Sequence, residues 1–332
     1  MQTSKLKVLF TKLMLLGFAA ILSLLLAELA VAKVIKYPSY GMVASVRYRK
    51  GEKLWGNIRK PHAKEYNVEG KNLAKFNNYG FPGIDIDSLN KPIVVLGSSF
   101  VEALQYAPEQ ISTSVFASEL RKRGMAHNVM NLGCSGHDPY DSWFRLLYFR
   151  ETLGFETQDV ILVLNSDNDD WFTRHPQPLD FSKPADFGSV NSNMKYKILL
   201  AMKNFSSLIA LLTEGSRSGE TAGVKEVESV TSPIPPNDDR HKESLSAQTL
   251  ACLDAFDGAY VNFRVLTVDD DGCFNNALQE YCANKGIPLC ITPMAKPEYM
   301  INGAGHFNLK GNEYLGKQLY ALFAKQDIQQ LR

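Results

Sequence analysis

The stretch Ile-Val-Val-Leu-Gly-Ser-Ser-Phe-Val-Glu, residues 93–102, decides the fold class of this chain. Its first four residues are apolar and mostly β-branched, a pattern typical of a parallel strand buried on both faces. From Val101 to Leu120, apolar residues recur at roughly helical spacing. The pattern predicts a strand, a small-residue turn and a helix, with Ser99 near the helix N-terminus, where backbone N–H groups favour a developing anion. Ser99 is therefore a candidate nucleophile, and the alternative is an ordinary turn with serine as the helix cap.

Three later segments also place small, polar or charged residues beside predicted strands and helices. Asn131–Gly136 follows a short strand and predicts a turn at which the backbone approaches another element closely. The apolar strand Val160–Leu164 runs into a polar segment at 165–170. His306 comes just before a terminal amphipathic helix whose apolar face would include Leu315, Leu319 and Leu322.

In this order and on these elements, the four segments resemble the four blocks of the SGNH (GDSL-like) hydrolase superfamily, over residues 77–325. The resemblance implies an α/β fold, a three-layer α/β/α sandwich with a parallel sheet (flavodoxin-like). The lead-in Asn-Asn-Tyr-Gly-Phe-Pro-Gly at 77–83 is similar to that of membrane-anchored members associated with bacterial surface polysaccharides.

Carried over by position, the resemblance implies catalysis by Ser99 as nucleophile and His306 as general base. A serine hydroxyl is a poor nucleophile at neutral pH, so an imidazole must take its proton during attack on an ester. The oxyanion hole would comprise the backbone N–H groups of Ser99 and Gly133 and the side-chain amide of Asn168, and each donor is worth about 10² to 10³ in turnover. We also expect a Cβ at position 133 to crowd that oxyanion.

Two departures from the family pattern put the third member of the triad in doubt. Ser98 replaces the usual aspartate before the nucleophile, and Gly303 and Ala304 stand where an aspartate usually precedes the histidine. Losing this acid costs a serine protease roughly 10⁴ in rate, so a Ser-His dyad and a non-catalytic protein are both open. Other acids near the motif segments are Asp138, Asp141, Asp169 and Glu298.

The N-terminus predicts a membrane anchor. Leu13–Ala32 is apolar except for Ser23 and Glu28, and its twenty residues at about 1.5 Å each would just span a ~30 Å hydrocarbon core. Ala30-Val31-Ala32 also has the small-x-small form of a signal-peptidase site, so a cleaved, secreted protein is the alternative. In both cases we expect the catalytic domain on the extracytoplasmic, periplasmic side.

The predicted domain organisation has three parts. Residues 1–36 form the anchor, 37–90 a lead-in segment, and 91–325 the hydrolase-like domain, with an insertion at about 177–250. Within the insertion, Met194–Leu212 is apolar on most sides and predicts a buried helix or a cap over the cleft, and a membrane-facing helix is the less favoured alternative. Glu214–Ser246 is rich in Gly, Ser, Pro, Glu and Lys and predicts a surface loop.

Several classes of function find no support in the sequence. The net charge of +1 gives no reason to expect nucleic acid as a partner. No metal motif and no glycine-rich phosphate loop occurs, so we expect neither metal nor cofactor. His137, close to Gly133, is interpreted as a surface residue, with lining of the substrate cleft as the alternative.

The sequence therefore predicts a membrane-tethered serine esterase that removes acyl groups, with acetyl on a surface glycan as the first choice. The rival is an O-acyltransferase that passes the acyl group to a sugar hydroxyl. A third hypothesis is a scaffold or glycan-binding protein that keeps the fold and lacks the triad acid. The partners expected are membrane lipid, an acylated glycan or small ester, and membrane acyltransferase or polysaccharide assembly proteins.

Overall fold

The computed structural model describes residues 2–35, 42–47, 55–67, 69, 72–174, 179–182, 194–212, 244–294, 296–301 and 305–330. The chain divides into two compact units. The anchor unit comprises Met1–Gly41 and Asn193–Asp238, and the sheet unit comprises Met42–Ser192 and Asp239–Arg332.

The described strands all belong to the sheet unit. In chain order they are β1 (Met42–Arg47), β2 (Trp55–Arg59), β3 (Lys64–Asn67), β4 (Asn72–Lys75), β5 (Ile93–Leu96), β6 (Val129–Asn131), β7 (Asp159–Leu164), β8 (Asn262–Thr267) and β9 (Leu289–Ile291).

The described helices are divided between the two units. In chain order they are α1 (Gln2–Leu29), continued by a π-helical segment (Ala30–Ile35), α2 (Ser99–Glu102), α3 (Ser112–Lys122), α4 (Pro139–Leu153), α5 (Ser166–Arg174), α6 (Met194–Phe205), α7 (207–212), α8 (Ala247–Ala259), α9 (Gly272–Lys285) and α10 (Leu309–Gln330).

A parallel five-stranded sheet forms the centre of the sheet unit, in the order β6-β5-β7-β8-β9. After β5 the chain adds β6 on one side and then returns to add β7 on the other. This is the flavodoxin-like order, in which ligands bind outside the carboxyl ends of the strands where the strand order reverses. The predicted fold class is thereby confirmed, and the segments that follow β5 and β7 flank the position where a site is expected.

Helices cover both faces of this sheet. Alternate residues of β5 point in opposite directions: Val94 and Leu96 join one apolar cluster, and Ile93 and Val95 join the other. The first cluster includes side chains of α4, α8 and α9, and the second includes those of α3 and α10. The predicted apolar face of the terminal helix is confirmed, because Leu315, Leu319 and Leu322 are buried.

The continuous helix predicted from Val101 to Leu120 is wrong. The helix that begins at Ser99 ends at Glu102, because Ala103 adopts a left-handed conformation with φ of 50°. A 3₁₀ turn at Pro108–Gln110 follows, and α3 then begins at Ser112. Proline is compatible with the first turn of a new helix and not with the interior of a continuous one.

The anchor unit contains one helix that is long and apolar enough to span a membrane, Lys7–Val34. Its second part, α6 and α7, differs from the buried helix that we predicted for 194–212. Ile198, Met202, Phe205 and Leu212 are all exposed. The predicted loop Glu214–Ser246 lies outside the described residues, apart from its last three.

Candidate active site

Ser99 lies just beyond the carboxyl end of β5 and is the first residue of α2. The turn before it requires glycine at position 97, which has φ of 156°. A Cβ there would come within 2.7 Å of Val101 Cγ2 and 3.1 Å of the Val163 carbonyl oxygen. The predicted strand, turn and helix start at Ser99 are confirmed. The side chain of Ser99 is partly exposed.

The second motif segment is fixed by a buried asparagine that sequence reasoning passed over. The Asn131 Nδ2 donates to the carbonyl oxygen of Val101 at 2.7 Å and to Thr113 Oγ1 at 3.1 Å. Its Oδ1 accepts from the backbone N–H of Gly133 at 2.9 Å. One side chain thus ties the end of β6 to both α2 and α3.

Close packing requires glycine at position 133, which is a reason that we did not predict. A Cβ at this position would lie 2.5 Å from the Glu102 backbone nitrogen and 2.7 Å from Val101 Cβ, so glycine is needed for close packing against α2. The Gly133 N–H that the sequence assigned to the oxyanion hole is already hydrogen bonded to Asn131. Its participation as an oxyanion donor remains a prediction.

The third motif segment opens α5 beyond the end of β7. Asn168 Oδ1 accepts from the backbone N–H of Asn165 at 3.1 Å, so the half of its side chain that can serve a substrate oxygen is the NH₂ group. The neighbouring Asp169 is buried and accepts from the N–H of Ser246 at 2.8 Å, at the start of α8. Asn168 and Ser99 thus follow the adjacent strands β7 and β5, on either side of the point where the strand order reverses.

His306 lies in a short loop held at both ends by hydrogen bonds. The backbone N–H of Ile301 donates to the His306 carbonyl oxygen at 2.8 Å. Asn308 donates from its side chain to the carbonyl oxygen of Glu298 at 2.8 Å and accepts from the N–H of Gly311 at 3.0 Å, in the first turn of α10. The position of the imidazole therefore follows from the start of α10.

The imidazole of His306 contacts an acid that sequence reasoning did not consider. Its Nδ1 lies 2.9 Å from Oε1 of Glu69 and 2.8 Å from Oε2. A carboxylate can only accept, so in the neutral imidazole Nδ1 carries the hydrogen and Nε2 keeps its lone pair. In this tautomer, the Nε2 of His306 has the lone pair that a general base requires.

A buried amide holds Glu69 in this position. The Gln105 Nε2 donates to Glu69 Oε2 at 2.7 Å, and Gln105 is only 6% exposed. Burial raises the pKa of the Tyr106 phenol, and the negative charge of nearby Glu69 raises it further. The acid is thus bound on one side by the histidine and on the other by the segment that follows α2.

Glu69 reaches the site because it lies between β3 and β4, which pair antiparallel with Asn67 opposite Asn72. The base of this hairpin is joined to the lead-in motif, since the N–H of Phe76 donates to the Ala63 carbonyl oxygen at 2.9 Å. The hairpin therefore carries Glu69 as far as the loop of His306, which is 237 residues away along the chain.

The motif at 77–83 anchors this hairpin to the core. Asn77 Oδ1 accepts from the N–H groups of Tyr79 and Phe81 at 2.9 and 3.1 Å, which closes a tight turn. Gly80 has φ of 82°, and a Cβ there would lie 2.4 Å from the Arg59 carbonyl oxygen. The turn places the ring of Phe81 edge-on against Phe149, where Phe81 is fully buried.

Phe100 joins the first and fourth motif segments. Its ring stacks on Phe307 at a centroid distance of 4.6 Å and meets the His306 ring edge-on at 6.2 Å. The predicted nucleophile Ser99 is the residue before Phe100, so the loop of His306 packs against the helix that begins at Ser99.

The acids considered from the sequence have other roles. Asp138 caps α4 by accepting from the N–H of Asp141 at 2.7 Å, Asp169 binds Ser246, and Glu298 is exposed. Glu69 was missed because it lies outside the four motif blocks. Its only signal in the sequence was an acid in the lead-in segment of a chain whose usual triad acid is absent.

The interpretation of His137 as a surface residue is wrong. This histidine is 2% exposed, and burial lowers the pKa of its imidazole to about 4. Asp141, Asp138 and Glu102 oppose that shift, while Arg145 adds to it. His137 is therefore neutral at pH 7 and belongs to a buried polar cluster behind the Gly133 turn.

Within the described part of the chain, no group of three or more His, Cys, Asp or Glu side chains is arranged to hold a metal ion.

No family model matches the chain, and no curated protein matches it. Solved structures that resemble it include the psychrotrophic esterase EstA from Pseudoalteromonas sp., at 12% identity and a TM-score of 0.41, covering 72% of this chain and 98% of that chain. TesA matches at 12% identity and a TM-score of 0.36, with 70% and 97% covered. The acetyl xylan esterase AlAXEase matches at 13% identity and a TM-score of 0.33, with 69% and 98% covered. The fold assignment rests on the strand order and the helix layers described above.

Proposed function

We propose that this chain is a membrane-anchored serine esterase of the SGNH type, in which Glu69 replaces the missing triad aspartate. The observation that carries the proposal is the contact of 2.8 to 2.9 Å between the Glu69 carboxylate and His306 Nδ1. The non-catalytic hypothesis depended on the absence of an acid partner for this histidine. With Glu69 in that position, the enzymatic hypothesis is the stronger one.

In the proposed reaction, Ser99 Oγ bonds to the carbonyl carbon of an ester while His306 Nε2 takes its proton. The tetrahedral intermediate then loses the alcohol, which leaves with that proton, and Ser99 carries the acyl group. Water, deprotonated by the same Nε2, then attacks the acyl carbon. The bond to Ser99 Oγ breaks, the carboxylic acid leaves, and Oγ takes the proton back from His306. Glu69 is a positioning residue, because it orients the imidazole and stabilises the imidazolium without bonding to the substrate.

The proposed substrates are acetyl esters, including those on a surface glycan outside the cytoplasm. This choice follows the lead-in at 77–83, which is similar to that of membrane-anchored proteins associated with surface polysaccharides. The partners expected in the cell, membrane acyltransferase or polysaccharide assembly proteins, are part of the same proposal.

The proposal is tested by reacting the detergent-solubilised full chain with a fluorophosphonate probe and reading intact mass over time. We expect one adduct on the wild type and none on Ser99→Ala. Glu69→Gln should react more slowly by up to about 10⁴, the loss seen when a triad acid becomes an amide. Glu69→Asp should recover part of that rate, because the carboxylate is restored.

Glu298→Gln is the matched control, since Glu298 is another acid near the histidine loop and is exposed. It should react like the wild type. Labelling that persists in Ser99→Ala would refute Ser99 as nucleophile, and a Glu69→Gln variant as fast as the wild type would refute the role of Glu69. A folded wild type that neither labels nor hydrolyses phenyl acetate would overturn the esterase proposal as a whole.

A further inference from the structure

The exposed face of α6 in the anchor unit is apolar. Among the α6 side chains that the structure describes, the exposed ones are Met194, Ile198, Ala201, Met202 and Phe205, which recur at helical spacing on one side. Phe205 is 91% exposed and Met194 67%. A helix that faces water carries polar side chains on its exposed face, so α6 has the reverse of the soluble pattern.

Polar groups of the same segment are turned inward instead. Lys203 and Ser207 are buried, at 7% and 6% exposure. In α7, the small side chain of Ala210 packs with Val31 from the π-helical continuation of α1. Among its described side chains, the α6–α7 segment thus buries Lys203 and Ser207 while it exposes the large apolar side chains of α6.

Glu28 fastens this segment to the membrane helix. Its Oε1 accepts from the Ser207 N–H at 2.8 Å, and its Oε2 accepts from the Leu208 N–H at 3.0 Å and from Ser206 Oγ at 2.6 Å. These bonds give hydrogen-bond partners to the carboxylate that interrupts the apolar segment. They also pair two N–H groups at the start of α7 that have no acceptor within the helix.

The position of Glu28 along α1 sets the depth of α6. The apolar helix Lys7–Val34 is longer than a membrane span needs. A span of the twenty residues Val8–Ala27, in place of the Leu13–Ala32 predicted from the sequence, would cross a hydrocarbon core of ~30 Å at about 1.5 Å per residue and would put Glu28 at the start of the interfacial layer. A carboxylate avoids the bilayer centre and is tolerated at this level. The junction between α6 and α7, bound to Glu28, would therefore lie at the depth of the lipid headgroups.

We propose that α6 lies in the interface of the membrane that α1 crosses, with Met194, Ile198, Met202 and Phe205 inserted between lipid chains. The occupant of this apolar face is lipid, because the face belongs to the same unit as the membrane helix and is linked to it at Glu28. The proposal rests on the membrane anchor of the proposed function and is independent of ester hydrolysis.

The test uses the full chain in vesicles of phosphatidylcholine and phosphatidylglycerol. Cys273 and Cys290, which are partly exposed, are first replaced by serine. A fluorescent label is then attached to Phe205→Cys, and in a second protein to Gly17→Cys as a depth reference in the middle of α1. Quenching is measured with iodide in the water and with lipids that carry a nitroxide either near the headgroup or near the bilayer centre.

We expect the Phe205→Cys label to be quenched most by the shallow nitroxide and to be shielded from iodide, and the Gly17→Cys label to be quenched most by the deep one. Strong iodide quenching of the Phe205→Cys label would overturn the proposal, because the face would be in water. Shielding from iodide and from both lipids would also overturn it, in favour of a protein covering the face. A Gly17→Cys label quenched by iodide would show that the anchor itself has failed, which separates that failure from a wrong assignment of α6.

Discussion

The sheet unit and the anchor unit differ in which side chains they bury and which they expose. In the sheet unit, Ile93–Leu96 and Leu315, Leu319 and Leu322 are almost completely buried. In the anchor unit, the large apolar side chains of α1 and α6 that the structure describes are exposed, while Lys203 and Ser207 are buried. The comparison teaches that apolar periodicity predicts which face of a helix leaves water, and that only the surroundings decide whether this face meets protein or lipid.

The largest difference between the units is expected from the same substitution made in each. Leu319→Ala, at a position with 0% exposure, should lower the free energy of unfolding by about 2 to 5 kcal/mol. Leu212→Ala, at 63% exposure, should change it by less than about 0.5 kcal/mol in detergent. Guanidinium titrations followed by near-ultraviolet circular dichroism measure both values, and equal losses would refute the contrast between the units.

The pH dependence of the free energy of unfolding tests the burial of His137 in the sheet unit. The folded-state pKa of His137 is lowered to about 4 by burial, while an unfolded histidine titrates near 6.5. Between these values the unfolded chain binds a proton that the folded chain does not. The free energy of unfolding should therefore fall by about 3 kcal/mol as the pH drops from 6.5 to 4, and this contribution is fully present above pH 6.5.

Denaturant titrations of the wild type and His137→Gln at several pH values measure this effect. The variant should show a flatter dependence over the same window, because the difference in proton uptake has been removed. Parallel curves for the two proteins would mean that His137 is solvated, contrary to its position in the structure.

A smaller effect, confined to the sheet unit, is expected from Gly133→Ala. The added methyl would collide with Val101 and the Glu102 backbone and displace α2, which begins with Ser99. A misplacement of about 1 Å can cost roughly 10² in rate, so ester hydrolysis should fall by that factor. Gly258→Ala, where an added Cβ meets nothing within 4 Å, is the control and should keep its rate. A Gly133→Ala enzyme with full activity would show that α2 tolerates the shift.

The sequence predicted the strands of the sheet and the motif blocks, because each is specified by residues that are close together along the chain. The buried strand Ile93–Leu96 and the apolar face of α10 follow from local periodicity. The long helix through residue 120 was wrong because local apolar spacing did not reveal the left-handed turn at Ala103. His137 was misassigned because its polar neighbours along the chain, such as Asp138 and Asp141, are buried with it.

The acid partner of His306 could not be predicted in the same way. Glu69 and His306 are 237 residues apart, and nothing along the chain pairs them. Their contact depends on the β3–β4 hairpin, on the turn that seats Phe81 in the core, and on Gln105 holding the carboxylate. Each of these interactions is local, and only their combination in space brings the acid to the imidazole.

The sequence by itself thus determined the class of the sheet, the order of the motif segments and the presence of an apolar anchor, because strand burial and helix periodicity are properties of short stretches. The tertiary structure alone decided that Glu69 meets His306, that Gly133 serves the packing of α2, and that α6 exposes its apolar face beside the carboxylate of Glu28. These features depend on distances between residues far apart in the chain, which are determined only when the elements of each unit have packed together.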